Sequence, residues 1–460
     1  MSDSREGYGL TRHIGMRSAT ALVIANVIGA GVFTTTGFQA ADLGNPYLIL
    51  LLWVLGGVLA FCGALCFAEL GAAMPGAGGE YVYLKETYGR AFGFMSAFVS
   101  LFAGFSAPIA AALKSLVIYL SAFVPALASD NPIVGNLPLY DIVAVALVWF
   151  LVSVQYFGQA KAVTFNNVIT LIKVGGIIAI VLAAASVGKG DIANITFVSE
   201  SYSAMESSAI FTAMATSLIF VMYCYSGWNA AAYVASEIIE PQRNLPRALL
   251  LGSAIVIVLY VCLNLVFLYG ANVDLLAGKV EVGLVASRVL FGELGAKLVT
   301  LVLGVSLLAS ASAMTFAGPR VYYAMGKDVS SLRMLSRTSE GGTPTTALIV
   351  QGVVASVIVL SGSIDQILQY AGFTLAFMSA LAISCVLVLR IRHPEMPRPF
   401  KMWGYPLPPI FYIAVSLWTM YFAFQGRPME STLALLTVAL GGGIFAAGTL
   451  RRKWRNRHSG

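Results

Sequence analysis

The chain has 460 residues, of which 58% are hydrophobic and only 11% charged. A soluble domain is about a quarter charged, so this composition excludes an ordinary soluble enzyme and points to one polytopic membrane domain. The formal net charge of +7 then belongs to loops on one side of a bilayer, and no nucleic-acid partner is expected.

A helix crosses a hydrocarbon core of roughly 30 Å with about 20 apolar residues. Runs of that kind predict twelve helices, near 17–43, 47–73, 92–124, 139–157, 163–187, 208–237, 247–271, 294–325, 344–362, 366–391, 403–425 and 431–450. Between the second and third, Glu80–Gly89 reads as a short amphipathic piece on the membrane surface. The polar N-terminus lacks a short apolar region with a cleavage site, so no cleaved signal peptide is expected. All five cysteines (Cys62, Cys66, Cys224, Cys262, Cys385) fall inside apolar runs without metal-ligand spacing, so they read as packing residues.

An even number of spans puts both termini on one side. The N-terminus, the loops after spans 2, 4, 6, 8 and 10 and the tail hold 21 of the 28 Lys and Arg, against five on the other face. The positive-inside rule therefore predicts cytoplasmic termini. Two lysines, Lys114 and Lys173, remain inside spans.

Two spans are interrupted at matching places: Ile28-Gly29-Ala30-Gly31-Val32 in span 1 and Tyr225-Ser226-Gly227-Trp228-Asn229 in span 6. They run in opposite directions, which divides a single transporter domain into a first repeat at 17–187 and an inverted repeat at 208–391. Two further helices at 403–450 and a basic tail at 451–460 follow. Paired interrupted helices in inverted halves point to a secondary transporter with a midplane site; easier helix packing is the plainer use of such glycines.

A break frees N–H groups at the start of its second half and C=O groups at the end of its first. The half-dipoles favour an anion at the former and a cation at the latter, so a zwitterionic amino acid satisfies both. The expected site gives the substrate carboxylate to the amides around Ala30, Gly31 and Val32, with Gly29 and Gly31 permitting close approach. The ammonium is expected at the carbonyls of Val27 and Ile28 and those near Tyr223 and Ser226. Gly227, Trp228 and Asn229 would complete the pocket, although Trp228 reads equally as plain packing. Lys173 sits in the apolar run 168–182 and is costly there. An ammonium aimed at the carbonyls of an unwound helix would be stabilised, take the place of a bound sodium ion, and be a candidate for proton exchange. Lys114 reads as a residue snorkelling outward, Asn26 and Asn264 as bonding across helices, and Glu69 and Glu237 as pairing with basic loops.

These residues resemble a known family. Phe67-Ala68-Glu69-Leu70-Gly71 with Met74-Pro75-Gly76-Ala77-Gly78-Gly79-Glu80-Tyr81-Val82-Tyr83-Leu84, the two breaks, Pro241-Gln242-Arg243-Asn244-Leu245-Pro246 and Gly318-Pro319-Arg320-Val321-Tyr322-Tyr323 are similar to motifs of the amino acid–polyamine–organocation transporters, most closely the bacterial L-amino acid transporter branch. The resemblance implies an all-α membrane fold of LeuT type, five plus five inverted helices with helices 1 and 6 unwound, and alternating access. It implies that Lys173 stands where a sodium ion would, as in proton symporters and sodium-independent exchangers. Ala30 departs from the serine or threonine common in the first break. Asn229 stands where arginine/agmatine-type exchangers carry an acidic residue, which argues against dedicated cationic substrates. A neutral L-amino acid transporter is therefore expected, with a polyamine permease or a non-transporting sensor as rivals. Neither a cofactor nor a metal is implied, and no nucleophile–base set suggests an enzyme. No external-loop cysteine offers a covalent attachment to a partner subunit.

Overall fold

The computed structural model describes residue 12 and residues 14–76, 78–128, 132–134, 137–157, 162–338 and 343–458. The first apolar run is two helices, α1 (Met16–Val27) and α2 (Gly31–Leu43), parted at residues 28–30. α3 (Pro46–Ala73) starts where the Asn45 side chain accepts the Tyr47 and Leu48 amides, with proline at the first position, where no N–H is needed. α4 (Glu80–Tyr88) buries Glu80, Tyr83, Leu84 and Thr87, one stripe of an amphipathic helix.

α5 (Arg90–Val99) runs through a π-helical stretch, Ser100–Ser106, into α6 (Ala107–Tyr119). Pro108 has no N–H for the carbonyl one turn earlier, and the wider ladder accommodates that gap. A small antiparallel pair, β1 (Pro132–Val134) and β2 (Leu137–Pro138), leads to α7 (Leu139–Phe157) and α8 (Ala162–Val187). Two short helices, α9 (Ala193–Thr196) and α10 (Glu200–Ser203), precede α11 (Ser207–Tyr225) and α12 (Ala230–Tyr233). Then come α13 (Pro241–Gly270), α14 (Val273–Leu276), α15 (Val282–Asp328), α16 (Thr345–Ser361), α17 (Ile364–Arg392), α18 (Leu407–Gly426) and α19 (Pro428–His458).

Among the described residues, ten helical runs are long and apolar enough to cross a membrane, with α1–α2 and the run from α5 through α6 each counted once. The apolar stretches Thr170–Ser186 and Thr345–Ser361 are shorter. The outward faces of α8, α13 and α15 carry Leu171, Leu182, Val258 and Leu294 uncovered, as a lipid-facing surface requires. Gly292, at φ +72°, divides α15, so a helix from residue 282 precedes the span expected near 294–325. The expected basic tail is helical as far as His458 because α19 continues through it. The span expected at 403–425 begins only at Leu407, after a turn at Gly404 with φ +70°.

Two charged networks tie spans together. The Glu69 carboxylate on α3 accepts Arg390 of α17 at 2.8 and 2.6 Å and the Met402 amide at 2.9 Å, and Arg398 lies 3.5 Å away. Glu69 thus pairs with the basic segment expected of it. Lys114 does not snorkel. It is buried, its Nζ 2.7 Å from Asp141 of α7, and it donates to the Val359 and Gly362 carbonyls at the end of α16. A buried ammonium is tolerated there because a carboxylate and two carbonyls satisfy it. Asn264 bonds across helices to Thr36, whereas Asn26 turns back onto its own helix at Leu22.

Replacing one partner leaves the other charged and buried, at a cost of about 3 kcal/mol. Lys114→Met alone is therefore expected to lower the melting midpoint of the detergent-purified protein strongly. Lys114→Met with Asp141→Leu should recover much of the loss. A single variant that melts like the wild type would contradict this role.

Candidate functional site

The two breaks lie side by side. In a continuous helix the carbonyls of Ala25, Val27 and Ile28 would accept the amides four residues on, at Gly29, Gly31 and Val32. Here other spans occupy them. Lys173 of α8 donates to Ile28 at 3.2 Å and to Ala25 at 3.5 Å. Ser310 of α15 donates to Ile28 at 2.8 Å and accepts Lys173 at 2.7 Å. Tyr260 of α13 donates to Val27 at 2.6 Å and approaches the Cys224 carbonyl at 3.4 Å. Three side chains from three spans therefore hold the carbonyl end of the break.

The second break turns at Gly227, whose φ of +95° suits glycine alone among common residues. A Cβ there would lie 3.0 Å from the Asn26 carbonyl. The breaks meet at Gly31, where a Cβ would stand 2.5 Å from Cys224 Sγ. Thr35 bonds the same sulfur at 3.2 Å. Gly31 is thus needed for contact between α2 and α11, whereas Gly29 has only the Val27 carbonyl within 4 Å.

A cavity of about 1510 Å³ opens beside both breaks. Of the residues singled out from the sequence, Val27, Gly29, Gly31, Tyr223, Ser226, Gly227, Trp228 and Asn229 line it. Ile28, Ala30 and Val32 are buried outside its wall, and Lys173 is buried behind it. Trp228 both lines the cavity and packs: its ring meets Phe67 edge-on at 4.7 Å and covers Gly63. The π-helical stretch contributes Ser100 and Gly104, and the mouth carries Arg12, Lys85 and Arg320. At that mouth, burial pushes the Glu80 carboxyl up to about 7, while bonds from Ser96 and Tyr233 pull the other way.

Tyr260 and Ser310 are the members of this site that sequence reasoning missed. A lone tyrosine or serine in an apolar span carries no signal. Ser306 and Ser310, one turn apart on one face of α15, were the available hint.

A family model described as amino acid permease matches residues 14–445. The chain belongs to this family. A serine/threonine exchanger, SteT, of Bacillus subtilis is 30% identical over 460 residues, covering 97% of this chain and 99% of that protein. The b(0,+)-type amino acid transporter 1 of Mus musculus is 28% identical, with 95% and 87% covered. The large neutral amino acids transporter small subunit 2 of Rattus norvegicus is 24% identical, with 96% and 81% covered. This permease is thus a multi-pass membrane transporter of amino acids, of the amino acid–polyamine–organocation superfamily, and not an enzyme.

The permease's two break glycines should respond differently to alanine. Gly31→Ala forces α2 and α11 apart and is expected to lower both melting midpoint and transport, with partial recovery when Cys224→Ala removes the sulfur. Gly29→Ala should fold like the wild type. Equal melting behaviour of the two would contradict the packing assigned to Gly31.

Proposed function

We propose that this permease moves neutral L-amino acids across the cytoplasmic membrane by alternating access without sodium. The observation that carries this reading is the Lys173 ammonium on the Ala25 and Ile28 carbonyls of a broken helix beside a cavity. An ammonium there does the electrostatic work a sodium ion would do.

The substrate carboxylate meets the free amides that start α2, reached through Gly29 and Gly31, where the helix dipole favours an anion. The ammonium uses the second lone pair of the Val27 carbonyl and the backbone at Ser226. Ile28 serves Lys173 and Ser310 instead of the substrate. Ala30 supplies no hydroxyl, so recognition of the carboxylate rests on backbone. Trp228 and Asn229 bound the side-chain pocket. Neither break carries a carboxylate; the two acidic residues that line the cavity, Glu80 and Glu237, come from outside them. That distribution suits an uncharged side chain, as does the likeness to a bacterial serine/threonine exchanger.

Arg12, Lys85 and Arg320 at the mouth belong to the basic face, so the cavity opens inward and both termini are cytoplasmic. The halves 17–187 and 208–391 rock against one another, with the helices of 403–450 outside that exchange. The five cysteines stay within spans, which leaves the transporter working without a covalently attached subunit.

Proteoliposomes test this. Uptake of labelled serine, alanine and leucine should be unchanged when sodium is replaced by potassium. Uptake only into vesicles preloaded with amino acid identifies an exchanger, and uptake into empty vesicles driven by an inward proton gradient identifies a symporter. Sodium-dependent uptake, or flux of putrescine alone, would overturn the reading.

A further inference from the structure

Glu80 is absent from the transport chemistry described so far, yet its side chain is buried at the start of α4 and borders the cavity. Its carboxylate accepts the hydroxyls of Ser96, on α5, and Tyr233, at the end of α12. The Tyr233 hydroxyl in turn accepts the side-chain amide of Asn229 at 3.4 Å. Asn229 is the residue just before α12 and lines the cavity. The backbone clamps the same junction: the Gly78 amide donates to the Tyr233 carbonyl at 3.1 Å, and a Cβ on Gly79 would lie 3.2 Å from Ala232. One chain of polar groups therefore runs from a buried carboxyl to a side chain at the second break.

The direction of that chain follows from donor and acceptor chemistry. An ionised carboxylate only accepts, so Tyr233 must donate to it and keeps its lone pairs for an incoming donor. Asn229 then gives its NH2 to Tyr233, and its amide oxygen is the group left for the cavity. A protonated carboxyl has an O–H that can be donated to the Tyr233 oxygen. When it is, the tyrosine proton is free to turn toward Asn229, which then presents its oxygen to Tyr233 and its NH2 to the cavity. One proton gained or lost thus reverses the two bonds of the Tyr233 hydroxyl.

We propose that Glu80 is a positioning residue for the substrate cavity: the charge on its carboxyl, relayed through Tyr233, sets whether Asn229 offers the cavity an acceptor or a donor. This rests on the reading of the cavity beside the breaks as the amino acid site. Among the described residues, Cys385 on α17 and Tyr412 on α18 also feel the Glu80 charge. On the same rim Lys85 shares α4, and Arg320 on α15 interacts with Glu237. Burial holds the Glu80 carboxyl at about 7, so the reversal falls in the range where a transporter meets cytoplasmic pH. Asn229 bounds the side-chain pocket three residues on from the Ser226 backbone proposed for the substrate ammonium. The negative end of its amide therefore favours the bound cation and the positive end opposes it, so KM from the cavity side is lower when Glu80 is ionised.

Two measurements on the full-length protein test this. Exchange in proteoliposomes, with the cavity-side pH varied between about pH 6 and pH 8, should give a wild-type KM that rises severalfold toward the acid end. Glu80→Gln, a neutral isostere, should hold the acid-end KM at every pH, and Tyr233→Phe should flatten the profile as well. Infrared pH-difference spectra of purified protein, which need no transport, should show a carboxyl band and a side-chain amide band titrating together. The first should vanish in Glu80→Gln and the second in Asn229→Asp. A wild-type profile retained in Glu80→Gln or Tyr233→Phe, or no carboxyl band lost in Glu80→Gln, overturns the proposal while leaving amino acid transport standing. Coupled bands in a protein that exchanges no amino acid would support the relay and overturn the transport reading.

Discussion

The architecture depends on three carbonyls, those of Ala25, Val27 and Ile28, being taken by side chains instead of by amides one turn on. In a bilayer an unpaired backbone group costs several kcal/mol, so a helix left to itself would close its ladder across this point. Lys173, Ser310 and Tyr260 lower the cost of staying open because each carbonyl already has a donor. On the reading proposed above, the amides at the start of α2 are left for a ligand, and the half-helix dipole favours an anion there. One set of hydrogen bonds would then both create the binding chemistry and fix where it sits.

The donors come from α8, α13 and α15, so the break joins elements far apart in sequence. Gly31 brings α2 against Cys224, Gly227 turns the second break against Asn26, and Trp228 seats on Phe67 and Gly63 of α3. The contacts that define the cavity are the contacts that pack the core, which makes the site sensitive to single methyl groups at those glycines. The ion pairs Lys114–Asp141 and Glu69–Arg390 lie away from the breaks and tie neighbouring spans at their ends.

Much of this was legible in the sequence. Apolar run length located most of the spans to within a few residues, since the bilayer imposes that length on a helix that crosses it, but it missed the start of α15 at residue 282. Glycine clusters gave both breaks, and Lys173 stood out because a lone lysine in an apolar run needs a reason. What composition could not give was direction. Nothing in the sequence distinguished Lys114, which pairs inward with Asp141, from a snorkelling lysine, because that depends on which span lies opposite. Asn26 looked like a bridge between helices and instead bonds its own turn. Tyr260 and Ser310 are ordinary residues in their own helices and gain a role only from the carbonyls they face. The notch at Gly292 and the helical tail to His458 went unread because neither alters an apolar run.

The most direct test of the clamp on the first break is equilibrium binding, by calorimetry on purified protein, of whichever amino acid exchanges fastest. Lys173→Met removes the cation from the carbonyls but keeps a side chain of similar length, and its folded state is checked by its melting profile. A folded Lys173→Met protein with affinity reduced at least about tenfold, a loss of roughly 1.4 kcal/mol, is the result this account predicts. A folded variant that binds with wild-type affinity would show that the break keeps its shape without Lys173 and would contradict it.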